Sequence, residues 1–305
     1  MTASPTFTTA GRSAALAGIA FMLAAVFLFG LNSAVGKWLV AKYPVGEFML
    51  IRSTLTLILL SPFIWHAGRA AFANAPRPGL QLLRIVFSAI EVAMFFWAIS
   101  YLPLADTTTF YLAGPIYVTA LSVLLLRERV GWRRWTAVLT GFVGVVIALR
   151  PSSSSFTLPA LIALSGSVIY ALLMITTRAL RETNDIALMT TYFIGAVAFG
   201  AATVPFGWVT PAPLDILVLC GVAGANILAQ FCVIRSLKLA SASVVVPYQY
   251  TLIIWSVVFG WQMFGELPDA YTIGGAVIIV AAGLYIFWRE RTVARQTPAV
   301  PAELP

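Results

Sequence analysis

Two ionisable residues, Arg52 and Glu91, stand in the middle of long apolar stretches. A charge placed deep in an apolar layer is costly, so it either pairs with an opposite charge or meets a ligand or a proton. Both chemistries are open here: a structural ion pair joining two helices, or a coupling pair in which Glu91 touches the ligand. Amides add a second set. Asn226 and Gln230 are four residues apart and share one helix face, where two amides can hydrogen-bond a heteroaromatic or amide-bearing ligand. The segment Val-Pro-Tyr-Gln-Tyr-Thr (246–251) sets Tyr248, Gln249 and Tyr250 beside a proline that bends a helix. Thr107–Thr109, Tyr111, Pro115 and Tyr117 form the matching set in the first half. Tyrosine offers a flat stacking face and a hydroxyl. With Asn32, Trp97 and Tyr170, these residues predict a wall suited to a planar, polar-edged molecule.

Other chemistries find no support. One His and two Cys cannot build a metal cluster, no Ser-His-Asp set is visible, and neither enzyme activity nor a cofactor is expected. Gly-Leu-Asn-Ser-Ala-Val-Gly-Lys-Trp (30–38) is a poor phosphate loop, because the spacing is one residue long and Trp38 follows Lys37 where Ser or Thr is needed. Glu128 and Glu266 sit beside turns and are expected to cap or orient connections, and Asp106 to cap a helix after Pro103. His66, beside Trp65, reads as an interfacial anchor.

The elements that must hold these residues follow from composition. Of 305 residues, 60% are hydrophobic and 10% charged, and mean hydropathy is +0.93. Soluble chains run near ~25% charged, so lipid is the expected solvent. A bilayer core is crossed by ~20 helical residues. Ten apolar runs have about that length: 14–36, 44–66, 80–101, 103–126, 132–150, 157–177, 186–207, 214–236, 240–264 and 270–288. The fold class is therefore an all-α membrane protein with ten transmembrane helices. The first run is longer than a signal-peptide core and lacks a cleavage pattern, so it is read as a retained helix. The tails 1–13 and 289–305 are polar and are expected to be disordered and cytoplasmic. Cys220 and Cys232, 12 apart on one run, read as buried, inert thiols.

Orientation follows from the cations. With the N-terminus cytoplasmic, 15 of the 19 Lys and Arg fall on the cytoplasmic side and only Lys37, Lys42 and Arg150 on the other, with Arg52 inside a run. Such asymmetry puts both termini in the cytoplasm of a multi-pass inner-membrane protein. It also explains the net charge of +8 without a nucleic-acid partner.

The chain then repeats itself. Leu-Pro-Leu-Ala-Asp-Thr-Thr-Thr-Phe (102–110) echoes Leu-Lys-Leu-Ala-Ser-Ala-Ser-Val-Val (237–245). Each leads to a proline (Pro115, Pro247), an apolar run and a glutamate (Glu128, Glu266). In this alignment Asn226 matches Glu91. Two five-helix repeats, 14–150 and 157–288, must cross the membrane in opposite senses because five is odd. The connection at Glu128 carries Arg127, Arg129, Arg133 and Arg134, and the one at Glu266 carries no cation. Inverted repeats around a polar site are a signature of secondary carriers.

These residues carry a resemblance. The stretches 115–151 and 247–266, Arg52 on the second helix and the two Pro…Glu segments look like the drug/metabolite transporter superfamily, EamA-domain type. The resemblance implies an alternating-access carrier of a small organic molecule, working in the bilayer as a lone chain or a homodimer. It is closest to bacterial riboflavin and S-adenosylmethionine carriers. Riboflavin uptake is the specific expectation; the alternatives are an S-adenosylmethionine carrier or an exporter of amino acids or amphipathic metabolites.

Overall fold

The apolar runs fold as helices. A computed structural model describes residues 9–73, 77–125, 132–149, 157–180, 182–239 and 245–296. The first half comprises α1 (Thr9–Val40), α2 (Val45–Ala67), the short α3 (Ala70–Ala73), α4 (Pro78–Tyr101), α5 (Leu104–Leu112), α6 (Gly114–Leu125) and α7 (Trp132–Leu149). The second comprises α8 (Leu158–Ala179), α9 (Asp185–Thr203), α10 (Pro213–Leu239), a 3-10 segment (Val246–Thr251), α11 (Leu252–Phe264) and α12 (Ala270–Gln296). Six of these helices hold spans long and apolar enough to cross a bilayer, and α7 and α12 hold shorter apolar stretches. No strand occurs among the described residues.

Three expectations need correction. The runs 103–126 and 240–264 are broken: α5 gives way to α6 at Ala113 and Gly114, and a 3-10 turn precedes α11. A proline lies at each break (Pro115, Pro247), where a missing N–H interrupts the helical ladder. The tails are helical further than their polarity suggests, since α1 begins at Thr9 and α12 runs to Gln296. The extension of α12, residues 289–296, has Ala and Arg without Gly or Pro and so propagates the helix beyond its apolar part. Asp106 does not cap α5; it lies in the first turn, and the Leu104 N–H at the helix start donates to Glu266 at 3.1 Å.

Burial runs opposite to a water-soluble fold. Asn32, Glu47, Arg52, Arg84 and Glu91 are buried, while Trp65, Phe142, Ile254 and Val277 are exposed. Apolar surface of that extent is stable only against hydrocarbon.

Helix neighbours relate the halves. α1 packs on α10 as α8 packs on α4; α4 reaches α9 as α10 reaches α2; α2 packs on α9 and α7 on α12. Exchanging α1 with α8, α2 with α9, α4 with α10 and α7 with α12 leaves this set unchanged. Glycines permit the two self-related contacts. A Cβ on Gly275 would lie 2.6 Å from the Gly144 carbonyl and 2.7 Å from Ala148 Cβ, whereas one on Gly274 would meet nothing. Gly275→Leu is therefore expected to cost about 1–3 kcal/mol by overpacking, and Gly274→Ala to be neutral. Melting temperatures in detergent check both.

Candidate functional site

Five helices bring polar and aromatic side chains to one buried place at mid-length. Arg52 is seven residues into α2 and Glu91 ten residues from the end of α4, so each lies roughly 10–15 Å from its helix terminus at ~1.5 Å per residue. Tyr111 comes from α5, Tyr170 from α8 and Tyr192 from α9. The Arg52 guanidinium carbon sits 5.2 Å from the Phe48 ring centre and 4.9 Å from that of Phe96. The aromatic row continues from Phe96 to Phe95 (5.3 Å), Tyr111 (5.0 Å) and Tyr170 (6.2 Å). The Tyr111 hydroxyl donates to the Glu91 backbone carbonyl at 3.4 Å.

Arg52 and Glu91 feel each other electrostatically, and both interact with Tyr192. They do not form the ion pair that was one of the two expectations. Among the described residues neither side chain has a hydrogen-bond or ion-pair partner, and Arg52 Nε is fully buried without one. The two rings, 4.6 Å apart, lie on one side of the guanidinium and satisfy none of its N–H groups. Sequence reasoning missed Tyr192, which sits amid an apolar helix with no companion at helical spacing to mark it.

The other expected residues divide. Asn32 and Asn226 are buried on the paired helices α1 and α10, and Asn32 Nδ2 donates to the Val222 carbonyl at 3.3 Å. Asn32 Oδ1 is buried without a partner. Gln230 is half-buried one turn on. The 3-10 segment separates its side chains. Tyr248 packs with Met22, Val26 and Val245, whereas Tyr250 lies with Phe110, Ile116 and Ile279, within electrostatic reach of Tyr170. Gln249 is half-buried. Trp97 leaves the group altogether; its ring packs 4.7 Å from that of Tyr101, which is exposed at the end of α4. Cys232 is buried, but Cys220 is only half-buried. Glu128 lies outside the described residues.

One end of the bundle is tied across the halves. Lys37 pairs with both Glu266 oxygens, at 2.5 and 2.7 Å, and donates to the Leu102 carbonyl at 2.7 Å. Asp215 on α10 accepts from Tyr43 at 2.6 Å and from Lys42 at 3.3 Å, and Glu47 accepts from the Val209 N–H at 2.9 Å. At the other end Arg84 donates to Thr177 (2.9 Å) and to the Leu188 carbonyl (3.0 Å), and Gln81 to Thr183 (2.9 Å). Between them, Thr108 on α5 and Ser256 on α11 share a hydrogen bond of 2.8 Å. An apolar groove of about 600 Å³ runs between α11 and α12, lined by Ile254, Val257, Ile273 and Val277 among others. Several of its lining side chains, Ile254, Ile273 and Val277 among them, are exposed.

The hydrogen bond to Asp215 raises the Tyr43 pKa above its ordinary value of 10.0. The protonated phenol is thus favoured in the folded protein. This contribution is complete below the unfolded value and is lost as pH rises through the folded one. Tyr43→Phe is expected to remove that alkaline limb, which thermal melts between pH 8 and about 11 would show.

A helical bundle with a polar interior and an apolar exterior is a multi-pass membrane protein. The chain belongs to the EamA-like transporter family, which it matches over residues 16–150 and again over 157–288. It is 25% identical over 279 residues to an S-adenosylmethionine uptake transporter of Rickettsia prowazekii, covering 90% of this chain and 94% of the relative. It is 26% identical over 291 residues to a riboflavin transporter of Vibrio cholerae (92% and 98%) and 29% identical over 272 residues to a pseudopaline exporter of Pseudomonas aeruginosa (87% and 94%). A solved crystal structure at 15% identity shares the fold with a TM-score of 0.61, over 92% of this chain and 99% of that one. The chain is a membrane transporter.

Proposed function

We propose that the protein is a secondary carrier, not an enzyme, that takes up a small organic metabolite across the bacterial inner membrane by alternating access. In this reading ten crossings form two five-helix repeats of opposite orientation, with both termini cytoplasmic. The broken helices α5/α6 and 3-10/α11 supply the fourth and ninth crossings. The exchange relation among helix neighbours supports the repeats. Lys37, Leu102, Asp215 and Glu266 come from four helix connections or their edges that this topology sets on the outer side, and they meet at one end. Side chains tie the halves at this end and, through Arg84 and Gln81, at the other.

The observation that carries the reading is the mid-depth pair of ionisable residues, Arg52 and Glu91, both buried, with Arg52 Nε lacking a hydrogen-bond partner. Ionisable groups at that depth are costly to keep and mark solute or proton pathways. The aromatic row from Phe95 to Tyr170 fits a flat solute, and riboflavin satisfies it. A second reading, S-adenosylmethionine, is favoured by the two opposite charges. Counterflow in proteoliposomes tests the carrier: preloaded unlabelled solute is expected to draw in labelled riboflavin or S-adenosylmethionine saturably and without ATP. Reconstituted protein that exchanges neither, nor any other small metabolite offered, sinks the reading.

A further inference from the structure

We infer that the groove between α11 and α12 holds one acyl chain of a phospholipid whose headgroup bears an ammonium, as ethanolamine does. The groove is independent of the residues that carry the transport reading; only its place in the outer leaflet rests on the orientation proposed above. α11 and α12 are joined by five residues, 265–269, yet among the described residues they do not pack along each other, and each packs on α5 instead. The slot between them is lined by Ile253, Ile254, Val257 and Val258 on one face of α11 and by one face of α12 from Thr272 to Leu284. Its floor is closed, because Ile253 and Val280 pack against the buried cluster that holds Phe110 of α5 and Tyr250. Its long side is open, because Ile254, Ile273, Val277 and Ala281 are exposed. Among the described residues no charged side chain lines it. A slot walled on three sides and left empty forfeits the dispersion contacts of its lining. Its dimensions select the occupant. Twelve residues separate Thr272 from Leu284, which is about 18 Å of helix at ~1.5 Å per residue. One leaflet of hydrocarbon is about 15 Å deep, so a single chain fills the slot end to end. A helix about 10 Å across occupies about 1,400 Å³ over that length, more than twice the groove's volume of about 600 Å³, so a helix of a second copy does not enter it. Charge selects the headgroup. The groove reaches Pro268 at its outer end, between Glu266 and Asp269, and residues 265–273 include no Lys or Arg. Asp269 accepts from the Thr272 N–H at 2.8 Å, which fixes its carboxylate at this end. Lys37 balances Glu266 alone. The outer end is thus net acidic and favours an ammonium over a headgroup that is only anionic.

Native mass spectrometry of the full chain, released from detergent during titration with palmitoyl-oleoyl phosphatidylethanolamine, reads the binding. One lipid per chain is expected to be retained. Ala281→Phe fills the slot from its exposed side and is expected to weaken this binding at least about tenfold, because the ring takes the contacts that the chain would make. Leu228→Phe, a like change at an exposed position of α10, is expected to leave it unchanged. The matching phosphatidylglycerol is expected to bind more weakly to the parent protein. Equal retention by Ala281→Phe and the parent overturns the proposal, since lipid would then only coat the surface. Phosphatidylglycerol that binds as tightly as phosphatidylethanolamine overturns it too. So does a dimer that Ala281→Phe dissociates, which would give the groove to a second copy. The two lipids on the unmodified chain decide the matter even where a variant fails to fold. Counterflow is read separately: its absence for every solute sinks the carrier reading and leaves the lipid result standing, and a failed lipid result leaves the carrier reading standing.

Discussion

Glu266→Ala is expected to release the Lys37 end of the bundle and to slow solute exchange at least tenfold. The carboxylate holds three groups at once: both its oxygens take the Lys37 ammonium, and Oε2 also accepts from the Leu104 N–H that starts α5. Without it Lys37, whose side chain is 10% exposed, keeps the Leu102 carbonyl and the face of the Phe264 ring 5.0 Å away. Removing one partner of a buried pair costs about 3–5 kcal/mol. Glu266 is 28% exposed, which argues for the lower figure. About 3 kcal/mol moves a two-state equilibrium by roughly 150-fold, enough to empty the state in which this end is tied. Removing both charges is gentler, because no ammonium is then left uncompensated, so Lys37→Met with Glu266→Leu is expected to be more stable than either single change. Leu104 is fully buried behind the pair. Leu104→Cys should therefore react slowly with an impermeant maleimide in the parent protein and much faster in Glu266→Ala. Equal rates would show that this ion pair does not hold the end shut.

The apolar spans and the two repeats were legible in the sequence because they depend on local rules, whereas the breaks inside the runs 103–126 and 240–264 were not. Length and hydropathy mark a crossing; a proline, as at Pro115 and Pro247, marks a bend without telling how far the ladder fails. What the sequence left open is which helix faces which. Lys37 served only as an orientation marker, although it closes the bundle against Glu266, 229 residues away. Glu266 was expected to orient a connection, and it does so for α5 as well as for its own loop. Spacing along one helix tells which residues share a face, and so Asn226 and Gln230 could be grouped. It does not tell which neighbour that face meets. For this reason Trp97 was placed in the central wall when its partner is Tyr101, and Tyr192 was overlooked. The six consecutive residues from Val246 to Thr251 misled for another reason. In a 3-10 turn each residue advances ~120°, so Tyr248 and Tyr250 enter different clusters.

The second large effect concerns Arg52 and Glu91, where stability and transport are expected to part company. Glu91→Gln preserves shape and leaves Arg52 as an uncompensated buried charge; Arg52→Gln does the reverse to Glu91. Each single change should lower the melting temperature, and the double change should restore most of it, because the cost lies in the unbalanced charge. Transport should follow another order. If solute meets both groups, each single variant loses about 2–5 kcal/mol of binding, which is roughly 30-fold to several thousand-fold in rate at low solute, and the double variant recovers nothing. A purely structural pair predicts recovery of both properties together. Proton coupling gives a third pattern, in which Glu91→Gln keeps exchange of solute for solute but loses uptake driven by a pH gradient. Melting in detergent and initial rates in proteoliposomes, measured on the same four proteins, separate the three.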